Sequence, residues 1–191
     1  MTWDVGPVRE ASELQQILEL QLQNHVFTVS AEQARSQGFV TARHTLDSLT
    51  QMHALAPSIV ARAEHGLAGY ALVMPLEAEA YVPVLKPMFD LFGSLSFRGR
   101  PLAATRFYVM GQVCVAEAHR GRGVFDALYR GHARHYAERF ELVVTEIATR
   151  NARSLRAHER VGFEPVHQYR DEVDEWLIAA WDFSQGTSRH G

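Results

Sequence analysis

The chain has 191 residues, of which 47% are hydrophobic and 21% charged, an ordinary globular composition that can bury a sizeable core without disulfides or a structural metal. Its formal net charge of −3 argues against nonspecific nucleic-acid binding, which needs a basic surface. The one cysteine, Cys114, excludes an internal disulfide and fits a reducing compartment. No apolar run approaches the ~18 residues needed to span a bilayer, and Met1-Thr2-Trp3-Asp4 shows no leader pattern. The expectation is a soluble cytoplasmic protein without nucleic-acid or membrane partners.

Trp3 to Arg9 reads as a first strand. Ser12 can cap a helix from Glu13 to about Gln23, with Leu14, Ile17, Leu18 and Leu22 on one face. Residues 24 to 44 are mixed, with Gly38 a break. Thr45 begins a second helix through Leu46, Leu49, Met52 and Leu55, ended by Ala56-Pro57. Ser58 to Ala63 and Leu67 to Met74 read as strands joined at Glu64-His65-Gly66, a hairpin signal. Residues 75 to 104 hold four of the seven prolines and a cluster of Met88, Phe89, Leu91 and Phe92. Such a long excursion often forms a lid or pocket wall. Its apolar 81–92 segment suits a wall for a substrate, a homodimer contact or plain core.

Arg106 to Val115 reads as a strand, with Gly111 in mid-strand marking either a bulge or close packing. A short loop then reaches Arg120-Gly121-Arg122-Gly123, and a helix runs from Gly123 to about Phe140. A strand, a glycine turn and a helix N-terminus make an anion cradle, because unpaired N–H groups and the positive end of the helix dipole converge there. Leu142 to Ala148 is a nearly continuous apolar run, the mark of a strand covered on both faces. Asn151 caps a helix to about Val161, stopped by Gly162. Phe163 to Tyr169 and Glu172 to Trp181 complete the strands, and Gly186 to Gly191 reads as a frayed tail. The order predicts one α/β domain over residues 1–185, a mixed sheet covered by helices.

Two patterns in the second half carry a family resemblance. Val113-Cys114-Val115 precedes Arg120-Gly121-Arg122-Gly123-Val124-Phe125, and Glu146-Ile147 precedes Asn151, Ser154, His158, Gly162 and Phe163. In spacing and separation these resemble the GNAT superfamily of N-acyltransferases, across residues 58 to 170. Two positions depart: Phe125 stands where the family prefers Gly or Ala, and His158 where it usually has Tyr. The resemblance implies a mixed, mostly antiparallel sheet of about seven strands, splayed in the middle and flanked by about four helices. It also implies acetyl-CoA, or a longer acyl-CoA, as donor, and a primary amine of a small molecule or peptide as acceptor.

The resemblance implies direct transfer with both substrates bound. The 120–125 turn would hold the pyrophosphate, with Arg120 and Arg122 adding charge. The strand ending at Val113, Cys114 and Val115 would offer main-chain groups to the pantetheine arm and an N–H to the oxyanion. An amine must lose a proton before attack. Members of the family use a Glu at the Glu146 position for that; a surface or paired glutamate is the plain alternative. Tyr108 and Gln112 on the adjacent strand are candidates to orient the acceptor. His158 can protonate the departing thiolate as the family's Tyr does, act as base, or hydrogen-bond the sulfur region. A structural histidine is the plain alternative. Asn151 fits helix cap and CoA contact together, with Ser154 on the same side. Cys114, between two valines, reads as core rather than nucleophile. His132 and His135 lack a third ligand, so no metal is expected. Arg150, Arg153, Arg156 and Arg160 read first as a solvated face and second as a phosphate contact. No Gly-Lys-Ser/Thr follows the glycine turn, which excludes a P-loop. The competing class is an acyl-CoA-binding sensor of the same fold without catalysis.

Overall fold

The computed structural model describes residues 3–30, 32 and 39–183. Gly38 and the 186–191 tail lie outside them. A seven-stranded sheet is built from β1 (Asp4–Pro7), β2 (Ile59–Arg62), β3 (Leu67–Met74), β6 (Phe107–Val115), β7 (Leu142–Ala148), β8 (Glu164–Arg170) and β9 (Glu175–Asp182), in the order β1-β2-β3-β6-β7-β9-β8. Every neighbouring pair is antiparallel except β6 and β7. Five α-helices occur among the described residues: α1 (Ala11–Asn24), α2 (Leu46–Leu55), α3 (Lys86–Leu91), α4 (Val124–Tyr136) and α5 (Ala152–Val161).

The local signals explain most boundaries. Thr45 caps α2, its Oγ1 accepting from Ser48 N at 3.1 Å. Asn151 caps α5 by accepting from Ser154 N, and Gly162 ends it in the left-handed region at φ 116°. Ser12 is not the cap of α1. The Glu13 carboxylate closes that helix start instead, accepting from the N–H groups of Arg9 (2.6 Å) and Glu10 (3.4 Å).

The sheet carries a core on each face. One joins α1, α2 and the 75–104 excursion through Ile17, Leu49, Met52, Leu72, Met88 and Leu102. The other joins α4 to the opposite face through Leu128, Tyr129, Tyr108, Phe163 and Trp181. The excursion is mostly core: Met88, Phe89 and Phe92 are buried, while Tyr81 and Val84 are exposed. It adds α3 and a small hairpin, β4 (Ser96–Phe97) with β5 (Arg100–Pro101).

The feature that positions the site lies between β6 and β7. They pair in parallel only at Phe107↔Leu142, Tyr108↔Val143 and Val109↔Val144. Beyond Val109 they diverge and open a gap. Gly111 works there in two ways. Gly111 and Gln112 together oppose Leu72 of β3, which is a one-residue bulge. A Cβ on Gly111 would also sit 2.0 Å from Met74 Sδ. Among the described residues, no helix is long and apolar enough to cross a membrane.

Candidate active site

A cavity of about 500 Å³ runs from the gap to the start of α4. At its far end Gly121 (φ 71°) and Gly123 (φ 76°) adopt left-handed backbone that side chains with a Cβ resist. Gly123 is the N-cap residue of α4. Among the described residues, the N–H groups of Gly121 through Asp126 have no acceptor in the protein. A helix start with this many unspent donors suits an anion.

The side chains of the turn behave differently from one another. Arg120 is tied back, with Nη2 donating to Asn24 Oδ1 and Nε to the Val115 carbonyl at 3.3 Å. Arg122 does not line the cavity, and its carbonyl accepts from Trp3 Nε1 at 3.1 Å. Val124 is buried beneath the turn against β3. Phe125, the residue out of place in the motif, turns its ring toward α5. It packs edge-on to His158 at 5.1 Å and against Tyr129 at 5.0 Å, and so walls the cavity without covering the helix start. Arg153, Arg156 and Arg160 line the same cavity from α5, and Arg160 pairs with Asp126 at 2.9 Å. The neighbouring charges of Arg120 and Arg156 add to burial in lowering the Arg153 pKa. Three of the four arginines that sequence reading assigned first to solvent therefore border the cavity, and Arg150 does not.

Strand alternation sets which main-chain groups of β6 face the gap. Ala116 N donates to Ala68 O at 2.9 Å, so Cys114, paired with Tyr70, also turns its N–H and C=O toward β3. Val113 and Val115 then turn theirs toward the gap. Cys114 thus contributes no main-chain group to the cavity. Its thiol is buried and pushed up to about 12 by burial, which leaves it inert as a nucleophile.

A second, smaller cavity of about 70 Å³ adjoins the first on the β7 side and is lined by Glu146, Gln112, His158, Leu85 and Trp176 among others. Burial pushes the Glu146 carboxyl up to about 7, and the nearby Asp171 adds to the rise. The hydroxyl of Tyr169 opposes it, donating to Glu146 Oε2 at 2.5 Å. A carboxyl titrating near neutrality at a cavity wall is what a general base requires.

His158 is buried, with its Nε2 2.7 Å from the Tyr129 hydroxyl and its Nδ1 2.8 Å from the Ser154 carbonyl. A carbonyl can only accept, so Nδ1 carries the proton and Nε2 accepts from Tyr129. Burial lowers the imidazole to about 4, so it is neutral at pH 7. Both ring nitrogens are spent on the protein.

The two acceptor-orienting candidates part company. Gln112 lines the small cavity, but its polar atoms serve the fold. Its Oε1 accepts from Tyr70 (2.5 Å) and Gln21 (3.1 Å), and its Nε2 donates to Ala42 O (2.8 Å). Tyr108 is corrected outright: it is fully buried on the other face, its hydroxyl 2.5 Å from His132 Nδ1. The Gly111 bulge is the reason. Tyr108 and Met110 face α4, and the extra residue turns Gln112 and Cys114 to the α1 side.

Sequence reading also missed the roof. Phe39 to Ala42 cross above the gap and are held from both sides. Val40 bridges His25, Thr41 O lies 2.9 Å from His25 Nε2, and Asn151 Nδ2 donates to Phe39 O at 3.4 Å. The Arg150 guanidinium stacks 4.4 Å from the Phe39 ring. No motif marks this segment. Among the described residues no group of three or more side chains is arranged to hold a metal.

Residues 28–163 match the sequence model of the acetyltransferase (GNAT) family. No curated protein matches the sequence significantly. Solved structures similar to the chain include yncA from Salmonella typhimurium, solved with its cofactor acetyl-CoA (17% identity, 96% of this chain and 95% of that one, TM-score 0.58). The ribosomal-protein-S18-alanine N-acetyltransferase from Escherichia coli is similar at 14% identity, covering 95% and 94% with a TM-score of 0.57. A GNAT-family acetyltransferase from Bacillus cereus is similar at 10% identity, covering 95% and 98% with a TM-score of 0.60.

Proposed function

We propose, on the premise that this chain belongs to the acetyltransferase (GNAT) family, that it moves an acetyl group from acetyl-CoA directly to a primary amine. The acceptor is a small molecule or a peptide, and donor and acceptor are bound together. The observation that carries the reading is Glu146, a carboxyl raised to about 7 in the wall of a small cavity that opens onto a larger one ending in the anion cradle.

The cradle fits a pyrophosphate, since the free N–H groups of the 121–126 stretch have no acceptor of their own. Val113 and Val115 offer main-chain groups to the amide-rich arm along the gap. The Val113 N–H, which faces the gap, is the proposed donor to the carbonyl oxygen as it gains charge. Glu146, with Oε2 held by Tyr169, takes the amine proton through Oε1 or through one water. Cys114 takes no covalent part, because its thiol is too weakly acidic. Asn151 serves as helix cap and as a strut to Phe39 of the roof.

A catalytically silent acyl-CoA sensor has no need of a carboxyl kept near neutrality at the meeting of two cavities, and this favours the enzyme. Thermal shift with acetyl-CoA followed by thiol release with a panel of primary amines tests the reading. Stabilisation by acetyl-CoA and amine-dependent thiol release are expected. Tight CoA binding with no turnover on any amine would leave the sensor, and failure of every CoA ester to bind would overturn the donor itself.

A further inference from the structure

We infer that the Ser154 hydroxyl, and not the His158 imidazole, hydrogen-bonds the sulfur of the departing thiol. The inference rests on the acetyl-transfer reading above. Phosphates belong to the cradle end of the larger cavity and the base belongs to the smaller one, so the thioester lies where the two meet. Phe39, Val40, Val113, Asn151 and Ser154 line both cavities. The first three have apolar side chains. Asn151 is spent: its Oδ1 accepts from Ser154 N at 3.2 Å and its Nδ2 donates to Phe39 O at 3.4 Å. Ser154 Oγ is therefore the side-chain donor at the junction.

The buried network aims that donor. Tyr129 donates to His158 Nε2, which fixes the imidazole proton on Nδ1. That N–H points at the Ser154 carbonyl (2.8 Å) and lies 3.2 Å from Ser154 Oγ. The hydroxyl oxygen is thus on the accepting side of His158, and its own hydrogen is left for the cavity. His158 acts as a positioning residue. It keeps no N–H for the sulfur, and burial keeps it neutral.

Glu146 takes one proton from the ammonium, the neutral amine attacks and the N–C bond forms, the second nitrogen proton passes to water, and the C–S bond breaks with its electron pair on sulfur. The sulfur leaves as a thiolate accepting the hydrogen bond of Ser154. The proton stays on Ser154, because a serine hydroxyl is a weaker acid than a thiol. Water supplies the thiol proton on release, and Glu146 returns its own to water.

The test titrates CoA and desulfo-CoA, which lacks the sulfur, at pH 7 and pH 9 into wild type and Ser154→Ala. The helix cap survives this change because it uses the Ser154 backbone N–H. Wild type is expected to prefer CoA, more strongly at pH 9 as the thiol ionises near ~8.5. Ser154→Ala should lose about 10-fold of that preference and keep its desulfo-CoA affinity, since a hydrogen bond to a charged group is lost. Its kcat should fall about 10- to 100-fold, and Ser154→Thr should restore most of it by returning a hydroxyl. An unchanged CoA preference in Ser154→Ala would overturn the assignment. So would a preference that His158→Gln abolishes and Ser154→Ala keeps. Failure of wild type to bind either compound would instead sink the donor reading, and this inference with it.

Discussion

The two ends of the site are built from different material. The end proposed for the donor is main chain: a glycine turn, a helix start, the gap-facing N–H and C=O groups of Val113 and the N–H of Val115. The end proposed for the acceptor is side chain: Glu146 from β7, Tyr169 from β8, Trp176 from β9, and the Gln21–Tyr70–Gln112 network beneath the roof. Main-chain recognition depends on backbone conformation and tolerates odd side chains, so Phe125 can occupy the motif by packing its ring sideways on His158. Side-chain chemistry depends on one atom in one place and tolerates little. A CoA ester is common to many reactions, whereas an acceptor is not, and the division of material follows that difference.

The comparison breaks most readily at Glu146. Glu146→Gln should lower kcat about 10²- to 10⁴-fold, the worth of a positioned base, and leave acetyl-CoA affinity unchanged. Steady-state kinetics beside a binding titration reads both. The same variant should be more stable than wild type at pH 8. The folded-state pKa of Glu146 is raised, so its favourable contribution is complete below the ordinary carboxylate range and is lost as pH rises through about 7. The gain should be about 2 kcal/mol at pH 8 and vanish near pH 4, as read by denaturant unfolding.

The donor end breaks at Gly123. Gly123→Val forces a β-branched side chain into positive φ, and acetyl-CoA affinity should weaken about 10-fold or more while saturated kcat changes far less. A mutant with unchanged affinity would remove the main-chain cradle from the account. Tyr169→Phe sharpens the acceptor end. Its hydroxyl lowers the Glu146 pKa, so its loss should move that pKa further up. Turnover at pH 7 should drop several-fold, by about the share of base that becomes protonated, and recover at higher pH.

A further effect concerns the fold rather than either end of the site. Burial lowers His44 and His158 to about 4 and His132 to about 3. The unfolded chain takes up protons on these three near pH 6.5 and the fold does not, so stability is lost as pH falls from about 6.5 toward 4. Each imidazole contributes a slope on the order of 1 kcal/mol per pH unit. Denaturant midpoints at pH 7 and pH 5 measure it, and a flat profile would mean that these rings are not held neutral.

How much was legible in the sequence follows the same division. Leu142–Ala148 and the Asn151-to-Gly162 helix read directly, because caps, glycine stops and apolar runs are local signals. The glycine turn at 121–123 and the helix start after it read for the same reason. The acceptor end did not, because it depends on sheet order. Tyr169 reaches Glu146 only because β9 lies between β7 and β8. Tyr108 and Gln112 fall on one face by strict alternation and the Gly111 bulge separates them; a glycine in a strand does not announce which register it will change. The excursion around Met88 and Phe89 is open in sequence to wall, dimer contact or plain core, since apolar content alone cannot say which side of a surface it will cover; it fills the core, with Leu85 at the small cavity. The roof from Phe39 to Ala42 is held by hydrogen bonds to distant partners and left no pattern.

The division of labour is tested most directly by kcat against pH, at saturating acetyl-CoA and amine, in wild type and Glu146→Gln. Wild type should show an ascending limb with an apparent pKa near 7, and the variant should lose the limb while still binding acetyl-CoA. A limb that persists unchanged in Glu146→Gln would contradict the claim that this carboxylate is the base.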